Sequence, residues 1–186
     1  MKRRVYIIIG VVLYAAFSSY QFYKADYSDQ GIMEHVIHRE GYSLSLQQQN
    51  IPIELWIQPE WIAFGKDERK EPNVILLEQH GTKIILSDVW NRGNDIYFSF
   101  TTSYDLGYKG GQFLANFLAN DNGTFTSGTG EIVLTDKSGQ RIPTGQYGEG
   151  PNSDFSFGVN PKDQALIGEG IKVQYSGFYF YHYQKL

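Results

Sequence analysis

The stretch 82-TKIILSDVWNRGNDIYFSFT-101 decides the fold of this chain. Ile84 and Leu86 alternate with more polar neighbours in its first half. Phe98 and Phe100 repeat that alternation after the tetrapeptide Asn-Arg-Gly-Asn, whose residues tolerate tight turns. Because successive side chains of a strand point to opposite faces, the stretch predicts two antiparallel strands joined by a hairpin turn.

The same alternation recurs along most of the chain on either side of the hairpin. The segment 113–118 fits a short helix as well as a bent strand, because its apolar residues match both spacings. We predict an all-β domain over residues 42–186, an immunoglobulin-like antiparallel β-sandwich, with a small barrel as the alternative. The further predicted strands lie at 42–57, 74–79, 131–135, 155–159 and 170–183.

The last predicted strand is rich in aromatic residues. Strand phasing places Phe178 and Phe180 on one face and Tyr179, Tyr181 and Tyr183 on the other. We expect the phenylalanines to face the core, because a tyrosine hydroxyl needs a polar partner when it is buried. The three tyrosines are therefore predicted to be partly exposed and to belong to a binding surface.

The N-terminus carries a membrane signal. Lys2, Arg3 and Arg4 precede residues 5–23, which contain no charged side chain. About 20 apolar residues span a bilayer, and positive charges favour the cytoplasmic side. The sequence predicts a cytoplasmic tail at 1–4, a transmembrane anchor at 5–23 and an extracytoplasmic domain.

Two other interpretations of this N-terminal segment remain open. A cleaved signal peptide would also export the domain, with 16-AFS-18 as its small-residue cleavage motif. A buried helix of a soluble domain is the third interpretation. Residues 24–41 are predicted to form a juxtamembrane stalk or short helix, because Ile32, Val36 and Ile37 recur at helical spacing.

Composition excludes several classes of function. The 186 residues include no cysteine, which rules out disulfides, thiolate metal sites, cysteine nucleophiles and lipid attachment through a cysteine. The net charge of −4 gives no electrostatic footprint for a polyanion. We therefore expect no nucleic acid partner.

Three segments carry a family resemblance: Lys83–Trp90, Asp95–Thr101 and Ile132–Gly139. Their strand-turn-strand patterns resemble the immunoglobulin-like extracytoplasmic modules of uncharacterised membrane-anchored and lipoprotein families of Gram-positive bacteria. The resemblance covers about half the chain, and these families supply no catalytic residues to transfer. It implies a β-sandwich in the cell envelope.

Two groups of side chains are candidate binding sites. Trp56 and Trp61 lie close in sequence, and tryptophan faces stack on sugar rings, so they suit a cell-wall glycan. Packing at the core or a sheet edge is the favoured alternative for both. Glu34, His35 and His38 share helix faces and offer zinc ligands, although we favour solvated side chains over a metal site.

No catalytic constellation is visible in the sequence. The chain has no Gly-x-Ser-x-Gly elbow and only four histidines. We therefore predict a non-catalytic interaction module of the cell envelope with no cofactor, no metal and other envelope proteins as partners. A glycan binder is the second hypothesis, and a metal-dependent or hydrolytic enzyme is the third.

Overall fold

The computed structural model describes residues 2–128 and 130–186, and it leaves the side chains of residues 2–5, 7 and 151 undescribed. The tail predicted at 1–4 therefore lies outside the described side chains. Helix α1 spans Lys2–Asp26 and helix α2 spans Asp29–His38. Short 3-10 helices lie at Pro59–Trp61, Pro151–Ser153 and Pro161–Ile167. The strands are β1 Tyr42–Ile57, β2 Arg69–Lys70, β3 Val74–Gln79, β4 Thr82–Asn91, β5 Ile96–Tyr104, β6 Gly110–Ala115, β7 Phe117–Ala119, β8 Phe125–Ser127, β9 Ile132–Thr135, β10 Arg141–Ile142, β11 Tyr147–Glu149, β12 Phe155–Val159 and β13 Ile171–Lys185.

The strands form two larger sheets and a separate hairpin. Sheet A has the order β1-β13-β9-β10, with β6 also paired to β13. Sheet B has the order β11-β12-β5-β4-β2, with β3 also paired to β4, and β7 pairs with β8 alone. The predicted hairpin is β4 and β5, with Leu86 opposite Phe100. The mostly β, antiparallel prediction is confirmed, and the arrangement is consistent with a β-sandwich.

The inward side chains of sheets A and B form the sandwich core. The rings of Phe98 and Phe157 lie 5.0 Å apart, and those of Phe100 and Phe155 lie 4.5 Å apart. All four side chains are almost completely buried. Burying a side chain of this size contributes about 1.5–3 kcal/mol, so the aromatic pairs between β5 and β12 are a main source of stability.

Strand β13 changes its phase near Gly177. Ile53 of β1 lies opposite Tyr175, whereas Ile51 lies opposite Phe178, so β13 advances by three residues where β1 advances by two. An extra residue on one strand is a β-bulge, and it reverses which side chains point inward. Tyr175 before the bulge and Phe178 after it therefore both enter the sandwich core.

Beyond the bulge, the two faces of β13 serve different cores. Phe178 is buried in the sandwich core and Phe180 packs against it, so the predicted phase of the phenylalanines is confirmed. The predicted exposure of the tyrosines is wrong for Tyr181 and Tyr183, which are 2% and 0% exposed. They belong to a second core, which also contains Ile32, Val36 and Phe113, and Tyr179 is half-buried against it.

Helix α2 covers those tyrosines. Ser28 caps the helix by accepting a hydrogen bond from the Gly31 backbone N–H at 3.1 Å. Ile32 and Val36 are buried against sheet A in one cluster with Tyr183. The segment 24–41, which the sequence predicts as a juxtamembrane stalk or short helix, thus contains α2, whose apolar stripe packs onto one face of sheet A.

Helix α1 leaves its apolar side chains exposed. The large side chains with a described position between Tyr6 and Tyr23 are all exposed. Among residues whose side chains are described, no helix combines the length and mean hydropathy of a membrane span. Tyrosine, serine and glutamine residues lower the hydropathy of this helix. The finding counts against the transmembrane helix predicted at 5–23.

Candidate functional site

A cleft of about 980 Å³ lies between helix α2 and the β-domain, and we call it the α2 cleft. Its walls are one face of α2, the end of β5, the β7–β8 hairpin and the turn after β11. The volume is at the upper end of the roughly 300–1,000 Å³ that is typical of ligand pockets.

The hairpin β7–β8 forms one wall of the cleft, and its turn is positioned by local sequence. Gly123 has φ +77°, a conformation that glycine adopts without strain. A Cβ at this position would lie 2.5 Å from Nδ1 of His38, so the hairpin turn packs directly on α2. The side chain of Asn122 accepts a hydrogen bond from the Thr124 N–H at 3.1 Å and closes the turn. The sequence 120-NDNG-123 is typical of a turn, and the structure forms a turn there.

The two strands of this hairpin have different outer edges. The Asn120 N–H donates to the Thr124 C=O, so these two residues form a hydrogen-bonded pair of the ladder. Because hydrogen-bonded and non-hydrogen-bonded pairs alternate in an antiparallel ladder, Ala119–Phe125 and Phe117–Ser127 are non-hydrogen-bonded pairs. The backbone groups of these four residues therefore point away from the hairpin ladder. The partners of these outward groups therefore decide which strand edge can accept another strand.

Tyr181 occupies the outer edge of β7. Its hydroxyl donates to the Phe117 carbonyl at 3.1 Å and accepts from the Ala119 N–H at 3.0 Å. The buried phenol thus replaces the neighbouring strand that β7 lacks. Within the described chain, the outward N–H and C=O groups of Phe125 and Ser127 on β8 have no such partner, and both residues line the cleft.

A locked turn at Asn152 and Ser153 forms another part of the cleft boundary. Both residues have positive φ, at 61° and 67°, although neither is glycine. The buried Ser153 hydroxyl accepts from the Asn116 N–H at 2.9 Å and bonds the Tyr104 hydroxyl at 2.9 Å. Thr102 donates its hydroxyl to the Ser153 carbonyl at 2.8 Å. These bonds hold a conformation that is uncommon for residues with a Cβ, so this part of the cleft is preorganised.

Asp154 follows the locked turn and is partly desolvated. Its Oδ1 accepts a hydrogen bond from the Thr102 N–H at 2.8 Å. Burial raises the pKa of this carboxyl above its usual value, and the Thr102 hydrogen bond opposes the rise only in part. Tyr104, buried beside it, has a phenol pKa that burial also raises. Both groups therefore favour their neutral forms more than they do in water.

The charged residues of the cleft wall are acidic. Asp29 accepts from the Leu106 N–H at 2.7 Å, and Glu34 bonds His38 at 3.2 Å. Glu149 accepts hydrogen bonds from the hydroxyls of two tyrosines, one of them Tyr175 at 2.6 Å. Among the described lining residues no lysine or arginine accompanies these carboxylates. The described lining residues therefore carry a net negative charge.

The structure separates the two tryptophans that the sequence proposes as a glycan site. Trp56 lies on the outward face of β1 and is 39% exposed. Trp61 is only partly buried but packs against the sandwich core. The two side chains therefore have different surroundings, and Trp56 alone keeps an outward aromatic surface.

The structure also separates the residues of the predicted tyrosine surface and of the candidate metal site. Tyr181 and Tyr183 are inside the second core, which removes them from any surface available for binding. His35 bonds Glu40 at 2.9 Å, whereas His38 bonds Glu34. In the described chain no three His, Asp or Glu side chains are grouped to hold a metal ion. Glu34 and His38 instead line the α2 cleft.

Sequence reasoning missed the cleft because its walls come from distant segments. Phe125 is 61% exposed beside it, and Glu149 faces it from another strand. The available signal was the pattern 117-FLANDNGTFTS-127, two short strands around a predicted turn. Nothing in that pattern indicates that α2 folds back to form the opposite wall.

Comparison with known proteins finds no relative of this chain. The chain matches no family model, no curated protein and no solved structure.

Proposed function

We propose that this chain is a non-catalytic interaction module of the cell envelope, held at a membrane by helix α1 and binding its partner in the α2 cleft. One observation carries the proposal: α1 exposes apolar side chains over most of its length, whereas α2 and the strands enclose closed cores. Exposed apolar surface of this extent is unfavourable in water and marks contact with lipid or protein.

Lipid is the environment that best suits the exposed apolar side chains of α1. Its exposed residues, among them Val11, Val12 and Leu13, follow one another in sequence and therefore point in different directions around the axis. Phe22 and Tyr23 near its end match the aromatic residues found at membrane interfaces. Basic residues before an uncharged stretch are in the order typical of export signals, which supports a β-domain outside the cytoplasm.

The immunoglobulin-like topology is part of the same proposal. Sheet A places β13 between β1 and β9, so strands that are distant in sequence are neighbours in the sheet. Crossed connections between two packed antiparallel sheets are typical of immunoglobulin-like sandwiches. This supports the envelope-module resemblance seen in the three strand-turn-strand segments.

A pair of topology reporters tests the location. One reporter enzyme that works only after export and one that works only in the cytoplasm are each fused after Leu186 in a Gram-positive host. We expect activity from the exported reporter alone and recovery of the fusion with membranes. Activity of the cytoplasmic reporter alone would refute the proposed location and the envelope role with it.

A glycan-binding surface is the second candidate, on different residues from those that the sequence indicated. Trp90 and Tyr97 are cross-strand partners on the outer face of sheet B, and Trp90 is 41% exposed. The Arg92 guanidinium lies 4.0 Å from the centroid of the Tyr97 ring, and Arg69 lies 5.8 Å from that of Trp90. The exposed Trp90 ring, with guanidinium donors beside it, suits a sugar ring.

Sedimentation with insoluble peptidoglycan tests this second candidate. Substituting both aromatic residues in a Trp90→Ala, Tyr97→Ala variant should abolish co-sedimentation if the surface binds glycan. Trp56→Ala is the matched control, because Trp56 is equally exposed on the other sheet. Equal co-sedimentation of the wild type and both variants would exclude this surface.

A further inference from the structure

We propose that the α2 cleft binds an extended peptide segment with basic side chains, which adds as a strand beside β8. This inference rests on the proposed function as an interaction module and names the kind of partner that its cleft would take. Three independent features of the described residues support it: a free strand edge, an exposed aromatic side chain and a one-sided charge.

The free edge is the first feature. The outward backbone groups of Phe125 and Ser127 are two residues apart, which in a strand is about 6.5–7 Å. An added antiparallel or parallel strand presents backbone donors and acceptors at the same spacing. The equivalent groups on β7 already bond the Tyr181 hydroxyl, so β8 is the edge of this hairpin that accepts a new strand.

The exposed aromatic ring is the second feature. Phe125 is the lining residue with a large apolar side chain that remains mostly exposed, and its ring lies 5.5 Å from that of Phe117. Met33 and Ile37 of α2 line the same cleft. An added strand would place alternate side chains over this apolar surface, since its residues point in turn to the two faces.

The acidic charge of the cleft is the third feature, and it determines which peptide side chains would bind. Asp29, Glu34 and Glu149 line the cleft, and no described lysine or arginine lines it with them. Lysine or arginine side chains on the added strand would gain charge-assisted hydrogen bonds, whereas acidic ones would be repelled. A peptide that alternates apolar and basic residues therefore fits both the surface and its charge.

A defined peptide pair tests this inference on the full chain in lipid nanodiscs. The probe is a fluorescent heptapeptide of alternating valine and lysine with blocked ends, and binding is followed by fluorescence anisotropy. The comparison peptides are a valine–glutamate heptapeptide and a fully N-methylated valine–lysine analogue, which has no backbone N–H. We expect both comparison peptides to bind at least about tenfold more weakly than the probe.

Charge variants locate the binding. The double variant Glu34→Gln, Glu149→Gln should weaken probe binding by about tenfold, because it removes the charges while keeping one acceptor oxygen on each side chain. The control is Glu131→Gln, Glu169→Gln, which makes the same change in net charge at exposed ion pairs elsewhere. The control should bind the probe as the wild type does.

Three results would overturn the inference: no probe binding, equal binding of the N-methylated peptide, or equal weakening in both double variants. The wild-type comparison of peptides does not depend on any variant folding. This test is also distinguishable from the topology test, because a cytoplasmic location would refute the envelope role and leave the measured peptide affinity unchanged.

Discussion

At the scale of single residues, the most consequential side chain is Tyr181. It is buried among apolar groups of the second core, yet its hydroxyl makes two hydrogen bonds to the backbone of β7. A buried tyrosine hydroxyl needs such partners, and the half-buried strand β7, unlike the exposed β8, needs partners for its outward backbone groups. One phenol therefore meets both needs and fixes the hairpin that forms the cleft wall.

We predict that Tyr181→Phe loosens the hairpin without unfolding the domain. Losing both bonds leaves a partly buried N–H and C=O without partners, which costs up to about 1–3 kcal/mol. Hydrogen exchange at the Ala119 amide should accelerate, and urea unfolding should show lower stability. Tyr179→Phe is the control, because its half-buried hydroxyl makes no hydrogen bond in the described chain. Unchanged exchange at Ala119 would contradict this role for Tyr181.

Asp154 provides a prediction with a defined pH dependence. Burial raises its pKa in the folded state, so folding favours the protonated carboxyl. The wild type should therefore lose stability as pH rises from the usual aspartate pKa through the higher folded value. In Asp154→Asn, which keeps an oxygen acceptor for Thr102 N–H, that loss should disappear.

Urea unfolding at a series of pH values between about 3 and 7 measures this effect. The difference in stability between Asp154→Asn and the wild type should increase with pH across that range. A difference that decreases with pH would mean that the folded state favours the charged carboxylate. Glu131→Gln serves as the control for an exposed acid on another strand.

At the scale of elements, strand β13 contributes to two cores because of its bulge. Tyr175 and Phe178 enter the sandwich core on either side of Gly177, and Tyr181 enters the core beneath α2. Gly177 is tightly enclosed: a Cβ there would lie 2.2 Å from the Tyr175 hydroxyl oxygen. The bulge thus depends on a residue without a side chain.

We predict that Gly177→Ala destabilises the domain by about 1–3 kcal/mol, the usual cost of forcing a methyl group into a packed site. Thermal unfolding should begin at a lower temperature, and near-ultraviolet circular dichroism should report altered packing of Tyr175. Gly168→Ala is the matched control, because its Cβ would lie 3.6 Å from the nearest atom and its backbone φ is −62°. Equal stability of both variants would show that the bulge tolerates a side chain.

At the scale of the whole molecule, α1 and the β-domain are joined by a small aromatic contact. Tyr27 stacks on Tyr108 at 4.5 Å between ring centroids, and Tyr23 lies 6.2 Å from Tyr27. Lys185 lies over the Tyr108 ring at 3.4 Å. The remaining apolar surface of α1 points away from both cores, so the helix and the domain are expected to respond separately to substitution.

We predict that Val12→Lys, Leu13→Lys abolishes flotation of the full chain with lipid vesicles and leaves thermal unfolding of the β-domain unchanged. Both side chains are exposed, and charges within a bilayer are strongly unfavourable. Ile75→Lys, at an exposed apolar position of β3, is the control for added charge. Flotation of the double variant at the wild-type level would mean that α1 does not enter lipid.

Local patterns were enough to predict the β4–β5 hairpin and the antiparallel character of the domain. The alternation around Leu86 and Phe100 and the turn at Gly123 depend on neighbours within a few residues, which a sequence displays directly. The phase of Phe178 was predicted for the same reason. The reversal of phase between Tyr175 and Phe178 was not predicted, because the bulge at Gly177 arises from the pairing of β13 with β1.

The sequence by itself determined an all-β, cysteine-free domain behind an apolar N-terminal helix, since strand periodicity and composition are properties of adjacent residues. Only the tertiary structure decided that α2 packs back onto sheet A, buries Tyr181 and Tyr183 and forms the α2 cleft with Phe125 and Glu149. The contacts of α2 with Tyr181, Tyr183, Phe125 and Glu149 join segments more than 80 residues apart, and an amphipathic stripe indicates that a helix will be covered but not by which surface.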